Sequence, residues 1–298
     1  MVYVAVVVLA ASGFGQDLAP RAYIITPVSS NAVTTTYSYN TGSVFTDPSV
    51  PVEDFSARFH TQVLSYYRSF ELVGRSANIT AAVPYALGNF SAKVAGTQTD
   101  VYRSGLADSR IRVAVNLWGG PAMHAKEYVT WKEKRLIGAS LTVLLPTGQY
   151  DPVRLINPGN HRWGIKPEIA ASRRWQHWVI EGYAGVWFFT ANDEYFPGTS
   201  QRSQQRIFAG EAHLSYYVKP RLWISVDGNF WSGGRSIING IPGTDGQRNS
   251  RAGITAAIPI DQHQSLKFSY SNGTYVTIGG DFQNVSAAWQ YSWVGRLL

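Results

Sequence analysis

From Ala32 onward, apolar and polar residues alternate with a period of two, broken at intervals by turn residues, and most of the chain carries no helical stripe. Between 222 and 231 the even positions are Leu222, Ile224, Val226, Gly228 and Phe230, with Ser225, Asp227 and Asn229 between them. Between 285 and 293 the set Val285, Ala287, Trp289, Tyr291 and Trp293 opposes Ser286, Ala288, Gln290 and Ser292. Successive strand residues point to opposite faces, so each segment has one apolar and one polar side. The same split recurs over 111–117, 165–172, 208–218, 251–258 and 266–271. It predicts twelve strands, near 32–40, 55–70, 76–86, 108–117, 136–145, 163–173, 178–189, 206–218, 222–232, 249–258, 265–271 and 281–293. Most approach the roughly nine to eleven residues that a tilted strand needs to cross a membrane.

The connections alternate in length. Short ones fall at 73–75, 175–177, 219–221 and 259–264, and long ones around 41–54, 87–107, 146–162, 190–205 and 233–248. Outer-membrane barrels have short periplasmic turns and long external loops, so the pattern predicts an all-β, up-and-down antiparallel transmembrane barrel with both termini periplasmic. The stretch GGPAMHAKEYVTWKEKRL at 118–135 falls where a short turn is expected and reads as an extended hairpin or a periplasmic helix. A soluble β-sandwich would alternate similarly. Against it, the polar faces carry a sparse mixture of both charges within strands: Arg112, Lys166, Glu168, Glu181, Glu211, Asp227, Arg251 and Lys267. That mixture suits the lining of a lumen better than a surface in bulk water. His213 shares the face of Glu211 and joins this candidate lining, either as a titratable pore site or as one of a solvated wall pair.

Composition narrows the picture further. Charged residues make up only 15% of the chain against 13% aromatic, with ten Trp and seventeen Tyr. Such rings favour membrane–water interfaces, where one edge is apolar and the other wet. There is no Cys, and the net charge of +7 is not concentrated in any Lys/Arg run, which argues against nucleic acid as a partner. The apolar run Val2–Ala11, followed by Gly13 and Gly15, predicts a signal peptide over 1–15, without the usual basic residue before it, and a barrel domain over 16–298. No stretch reaches eighteen uninterrupted apolar residues, so a membrane crossing here must use strands.

Several segments resemble the family of the MetA pathway of phenol degradation, Gram-negative outer-membrane barrels described as transporters. They are GLADSRIRVAVNL at 105–117, GASLTVLLPTGQYDPVRLINPGNHRW at 138–163 and IKPEIAASRRW at 165–175. YAGVWFFTANDEYF at 183–196, HLSYYVKPRLWISVDGNFWSGGRS at 213–236 and SRAGITAAIPIDQHQSLKFSYSNG at 250–273 continue the likeness. The resemblance implies a location in the outer membrane and uptake of aromatic or other hydrophobic compounds. The partners it implies are outer-membrane lipid, a small-molecule solute and the barrel-assembly machinery. Barrels of this kind commonly end on an aromatic residue, whereas here Trp293 is followed by five further residues.

Two loop groups are candidates for a constriction. Pro146, Gly148, Tyr150 and Asp151 leave a strand in the PTGQYDP stretch, where Pro and Gly either set loop dihedrals or fold the loop inward. Asn157, His161, Arg162 and Trp163 follow, with groups able to bind a polar or aromatic solute or to tie the loop to the rim. GGRSIINGIPGTDG at 233–246 reads as a mobile external loop, since it lacks the Lys-Ser/Thr of a phosphate loop, and NDEY at 192–195 offers oxygen ligands for a calcium ion, for which two adjacent acids alone are a weak signal. The six His residues lack metal-ligand spacing and no GxSxG elbow is present, so no metal, cofactor or catalytic residue is assigned. The expected function is passive passage of small hydrophobic or aromatic molecules. A lipid-acting outer-membrane enzyme and a structural barrel without transport are the alternatives. On these face assignments Val226 meets lipid and Asp227 the lumen, which predicts that Val226→Arg destabilises the barrel and that Asp227→Arg is tolerated.

Overall fold

The computed structural model describes residues 18–46 and 52–295. In chain order the elements are β1 (Ser30–Phe45), β2 (Val52–Leu72), β3 (Arg75–Val94), β4 (Thr97–Leu106), β5 (Arg110–Trp118), α1 (Ala125–Thr130), β6 (Arg135–Leu144), β7 (Gly164–Trp175) and β8 (Trp178–Phe189). Next come β9 (Asn192–Tyr195), β10 (Ser200–Gln204), β11 (Ile207–Lys219), β12 (Leu222–Gly233), β13 (Ser236–Ile238), β14 (Ile241–Pro242), β15 (Gln247–Pro259), β16 (Gln264–Tyr275) and β17 (Gly279–Val294). The main sheet runs β2-β1-β17-β16-β15-β12-β11-β8-β7-β6-β5-β3, and the β2–β3 pairing closes it into a twelve-stranded antiparallel barrel. The seam between first and last strand is continuous, from Ser30 opposite Val294 to Phe45 opposite Gly279.

One wall position is shared. The first half of β3 pairs with β5, Ala77 with Val115 through Ala82 with Arg110, and its second half pairs with β4, Tyr85 with Leu106 through Val94 with Thr97. β4 and β5 are thus one strand interrupted at 107–109. The segment 87–107, expected as a loop, is the continuation of this hairpin beyond the body of the barrel. The expected loops at 190–205 and 233–248 instead supply a second small sheet, β14-β13-β10-β9. Within 118–135 the chain forms the short helix α1, whose start is capped where the Glu127 carboxylate accepts the His124 N–H at 3.0 Å.

The alternation read from the sequence sorts side chains as a membrane barrel requires. Val226 is 62% exposed and Asp227 only 2%. Ile169, Ile180, Leu214 and Ile254 likewise face outward, while Glu168, Glu181, His213 and Arg251 are buried inside. Apolar groups cover the outside because lipid, unlike water, gives nothing back for a buried polar group. Trp175, Trp178, Tyr216, Trp289 and Tyr291 cluster at the short-turn end, with Trp178 and Tyr216 in edge contact at 4.8 Å. Ser30 and Val294, the outermost residues of the seam, lie at that same end.

The signal segment expected over 1–15 lies outside the described residues. Residues 18–29, placed within the barrel domain by the sequence, join neither sheet. They run inside the lumen.

Candidate channel lumen

The inner segment is held by wall side chains, since it has no strand partner to satisfy its backbone. Ala19 N–H donates to Glu211 Oε2 at 3.3 Å, Arg21 N–H to Glu181 Oε2 at 3.0 Å, and Ala22 N–H to the Tyr183 hydroxyl at 3.3 Å. The Arg21 guanidinium is buried between Glu133 at 2.5 Å and Glu181 at 3.4 Å, and also donates to the Tyr217 hydroxyl. The Tyr23 hydroxyl donates to Glu168 Oε1 at 2.9 Å and sits 2.8 Å from Ser140 Oγ, with the Arg112 guanidinium 4.5 Å from its ring centre. Thr26 meets the Tyr67 hydroxyl at 2.8 Å, and Val28 N–H donates to the Met123 carbonyl. Two wall glycines make room for the segment. A Cβ at Gly138 would stand 2.5 Å from the Tyr23 ring, and one at Gly253 would stand 2.8 Å from Leu18.

The stretch carrying α1 completes this arrangement from the short-turn end. Glu133 takes Arg21, and Met123 packs with Ile25 and Leu136 against Tyr128 and Trp131. Sequence reading assigned no role to Arg21, Tyr23 or Glu133. The partners named above lie 112 to 196 residues away, a distance no local pattern reports.

The remaining candidate lining residues fall into place around this segment. Lys166 pairs with Glu168 at 2.7 Å, and Arg112 lies 3.9 Å from the same carboxylate. Arg251 donates to Ser271 at 3.0 Å. Lys267 shares the inward parity of Ser269 and Ser271 and is exposed near the short-turn end. His213 corrects the view of a solvated wall pair, because its side chain is fully buried. Its Nδ1 lies 2.9 Å from Asp227 Oδ1 and its Nε2 3.3 Å from Glu211 Oε2. Asp227 Oδ2 accepts from Ser225 at 3.1 Å and Thr255 at 2.7 Å. A carboxylate so engaged is a structural acceptor, and the expected tolerance of Asp227→Arg does not survive. Neither ring nitrogen of His213 faces a hydroxyl, so the geometry of an activated serine is not present at this histidine.

At the long-loop end, residues 145–163 fold back over the lumen. Asp108, in the break between β4 and β5, anchors them: Oδ1 accepts Gly148 N–H at 3.0 Å, and Oδ2 accepts the backbone and side-chain N–H of Asn160, each at 2.8 Å. Burial nevertheless pushes the Asp108 carboxyl above its ordinary range. Gly148 and Gly159 touch so closely that a Cβ on Gly148 would stand 2.6 Å from the Gly159 Cα. Asn157 braces the turn through the Asp151 backbone and the Arg154 carbonyl, and Asp151 also pairs with Arg154 at 2.9 Å. Tyr150 stacks on His161 with ring centres 4.9 Å apart. Arg162 is buried against the Phe189 ring and Gln204, whereas Pro146 is half-buried and Trp163 exposed.

An apolar cluster lies beneath this loop on inward positions of the wall. It joins Val44, Phe55, Phe59, Phe90, Phe282 and Ile156, with Phe59 edge-on to Phe282 at 5.2 Å. The sequence carried a partial signal for it: Phe90 shares the parity of Ser76, Asn78 and Thr80 in β3, and Phe282 that of Asn284, Ser286 and Gln290 in β17. The lumen is therefore apolar toward the loops, ionised in the middle and threaded by residues 18–29. No group of three or more His, Cys, Asp or Glu suited to a metal occurs among the described residues.

Comparison with known proteins agrees with this architecture. The family described as "Putative MetA-pathway of phenol degradation" matches residues 30–294. An outer membrane channel from Pseudomonas putida F1 is similar with a TM-score of 0.77 at 17% identity, over 93% of this chain and 100% of that one. The beta domain of the Bordetella autotransporter BrkA is similar with a TM-score of 0.51 at 10% identity, over 89% of this chain and 100% of that one. The transport unit of the autotransporter AIDA-I from Escherichia coli gives 0.50 at 11% identity, over 97% and 95%. These likenesses are of fold, that of outer-membrane barrels. No curated protein matches the sequence.

Proposed function

This chain belongs to the family of the MetA pathway of phenol degradation, and from that premise we propose that it is an outer-membrane channel for passive uptake of small hydrophobic or aromatic compounds. The observation that carries the reading is the graded lumen. Apolar side chains packed under the folded loop give way to an ionised middle that residues 18–29 occupy without belonging to the wall. A filled structural barrel would use side chains of its own strands, whereas this one is closed by a separable segment. Carbon surfaces at the entrance favour apolar solutes, and the charged middle provides a path once the segment moves. In this reading the long loops face outward and both termini are periplasmic. The lining residues Arg112, Lys166, Glu168, Glu181, Glu211, His213, Asp227, Arg251 and Lys267 set the field along the path. The folded loop from Pro146 to Trp163 is its outer constriction. The aromatic end of β17, Trp289 to Trp293, supports recognition by the barrel-assembly machinery.

Planar-bilayer conductance tests this. Arg21→Met combined with Tyr23→Phe removes the ionic and hydroxyl anchors of the inner segment, and the variant is expected to conduct several-fold more than the wild type and to favour cations, since one buried positive charge is lost beside Glu181 and Glu133. Proteoliposomes of that variant should also swell in benzyl alcohol. A barrel that folds, by its faster unheated gel mobility, but conducts and swells no more than the wild type would leave the structural reading. Lipid turnover by the purified chain would instead favour the enzyme.

A further inference from the structure

Near the short-turn end of the wall, Arg135 of β6 stands directly opposite Arg173 of β7. Both hold outward positions, since Leu136 and Gly138 on one strand and Glu168 and Ala170 on the other are the buried ones. Like charges directly opposite each other on one face of a sheet repel and weaken the pairing. No side chain relieves them. Among the described residues neither guanidinium has a hydrogen-bond or ion-pair partner. The outward neighbours in register are Ile137, Ala171 and Ile180, with Trp118 beside Ile137 and Trp175 facing Trp178 at the end of the hairpin. Glu133, the acid next to this pair in sequence, is buried against Arg21 and Arg174, while Lys132 and Lys134 add exposed positive charge.

We propose that Arg135 and Arg173 form a site on the outer wall for the headgroup phosphate of an anionic phospholipid, phosphatidylglycerol, whose acyl chains lie along Ile137, Ala171 and Ile180. The tryptophans set the depth, because such rings gather where headgroups meet hydrocarbon. Arginine stems lie along an apolar wall and raise their heads to that level. Two guanidinium forks converging on one phosphate supply charge-assisted hydrogen bonds, and the anion screens each cation from the other. Phosphatidylethanolamine would bring an ammonium into a field of cations with no exposed acid to receive it, whereas the glycerol headgroup adds only hydroxyls. The site does not line the lumen and stands apart from the uptake reading. Choosing a phospholipid over the phosphorylated sugar lipid of the outer leaflet rests on the periplasmic placement of the short turns.

The test titrates the full chain in detergent with dioleoylphosphatidylglycerol or dioleoylphosphatidylethanolamine and follows the first bound lipid by native mass spectrometry. The wild type should hold the former more tightly. Arg135→Gln and Arg173→Gln should each weaken it about tenfold and leave the latter unchanged. Lys219→Gln, which removes an exposed cation from the turn between β11 and β12, should change neither. Refolded in vesicles, Arg173→Gln should show a lower urea midpoint than the wild type in phosphatidylglycerol. In phosphatidylcholine its midpoint should be equal or higher, because there only the repulsion is removed. Undiminished binding by both arginine variants, or equal weakening by Lys219→Gln, would overturn the site. Displacement of the lipid by millimolar inorganic phosphate would overturn it in favour of the free anion, and a midpoint lowered alike in both lipids would leave Arg173 a structural role only. Binding in detergent does not depend on orientation, which tag accessibility on intact cells reads separately.

Discussion

Val226 and Asp227 are chain neighbours with opposite surroundings, and the contrast decides what each tolerates. Val226 points at lipid, so Val226→Arg should cost about 2–4 kcal/mol near the bilayer midplane. Asp227 accepts from Ser225 and Thr255 and stands against His213, in a group with no measurable exposure. Asp227→Arg removes the carboxylate that faces the histidine, sets a guanidinium in a buried site and strips two hydroxyls of their acceptor, at a cost of about 3–5 kcal/mol. Both variants should therefore unfold at lower denaturant than the wild type, measured by urea titration of heat-modified mobility in lipid vesicles. Asp227→Arg with wild-type stability would show that the His213 network is dispensable. Parity alone sent Asp227 inward, and that much was legible. Its cross-strand partners His213 and Thr255 were not, because they sit 14 and 28 residues away on adjacent strands, and strand register is absent from local alternation.

At the level of elements, the twelve wall strands were readable because each has to show carbon to lipid at every second residue. Elements free of that demand were misread. The β4 half of the split strand stands beyond the body of the barrel and was taken for loop, as were the four strands of the small sheet. Residues 18–29 form no element and follow no period, so nothing in their pattern marked them as the contents of the lumen. Their fit is nonetheless specific and can be tested from the wall. Gly138→Val drives side-chain carbon into the Tyr23 ring and should displace the inner segment, raising conductance several-fold. Gly182→Ala, where an added methyl meets nothing nearer than 3.9 Å, should leave conductance unchanged. If both variants conduct like the wild type, Tyr23 does not occupy the site beside Gly138.

For the whole molecule, the alternation of short and long connections was the most informative global signal, and it extends to orientation. Tags inserted near Gly198 or Thr244, among the long connections, should be accessible to antibody on intact cells. Tags near Pro220 or Asp261, in short turns, should be protected until the membrane is permeabilised. The reverse pattern would invert the barrel and place the apolar cluster on the periplasmic side. Closure also ties distant parts of the chain together, since Ser30 and Val294 are paired. The aromatic cluster illustrates the limit of sequence reading at this scale. Its members come from β1, β2, β3, β17 and a loop, and the pairing of these four neighbouring strands, β17 across the seam, brings them together.

The segment inside the lumen can be regarded as a ligand that the barrel carries on a covalent leash. Joined directly to β1, it faces its binding site at an effective concentration in the millimolar range or above, far beyond that of a dilute solute. Contacts of modest intrinsic strength thus keep the passage shut: a net docking free energy of about 3 kcal/mol leaves it open on the order of one part in a hundred. A solute need not match that local concentration. It has only to arrive during such an interval, and any compound that favours the undocked state lengthens it in proportion to its own affinity. The same peptide cut from its leash and added from solution should compete poorly at micromolar concentration.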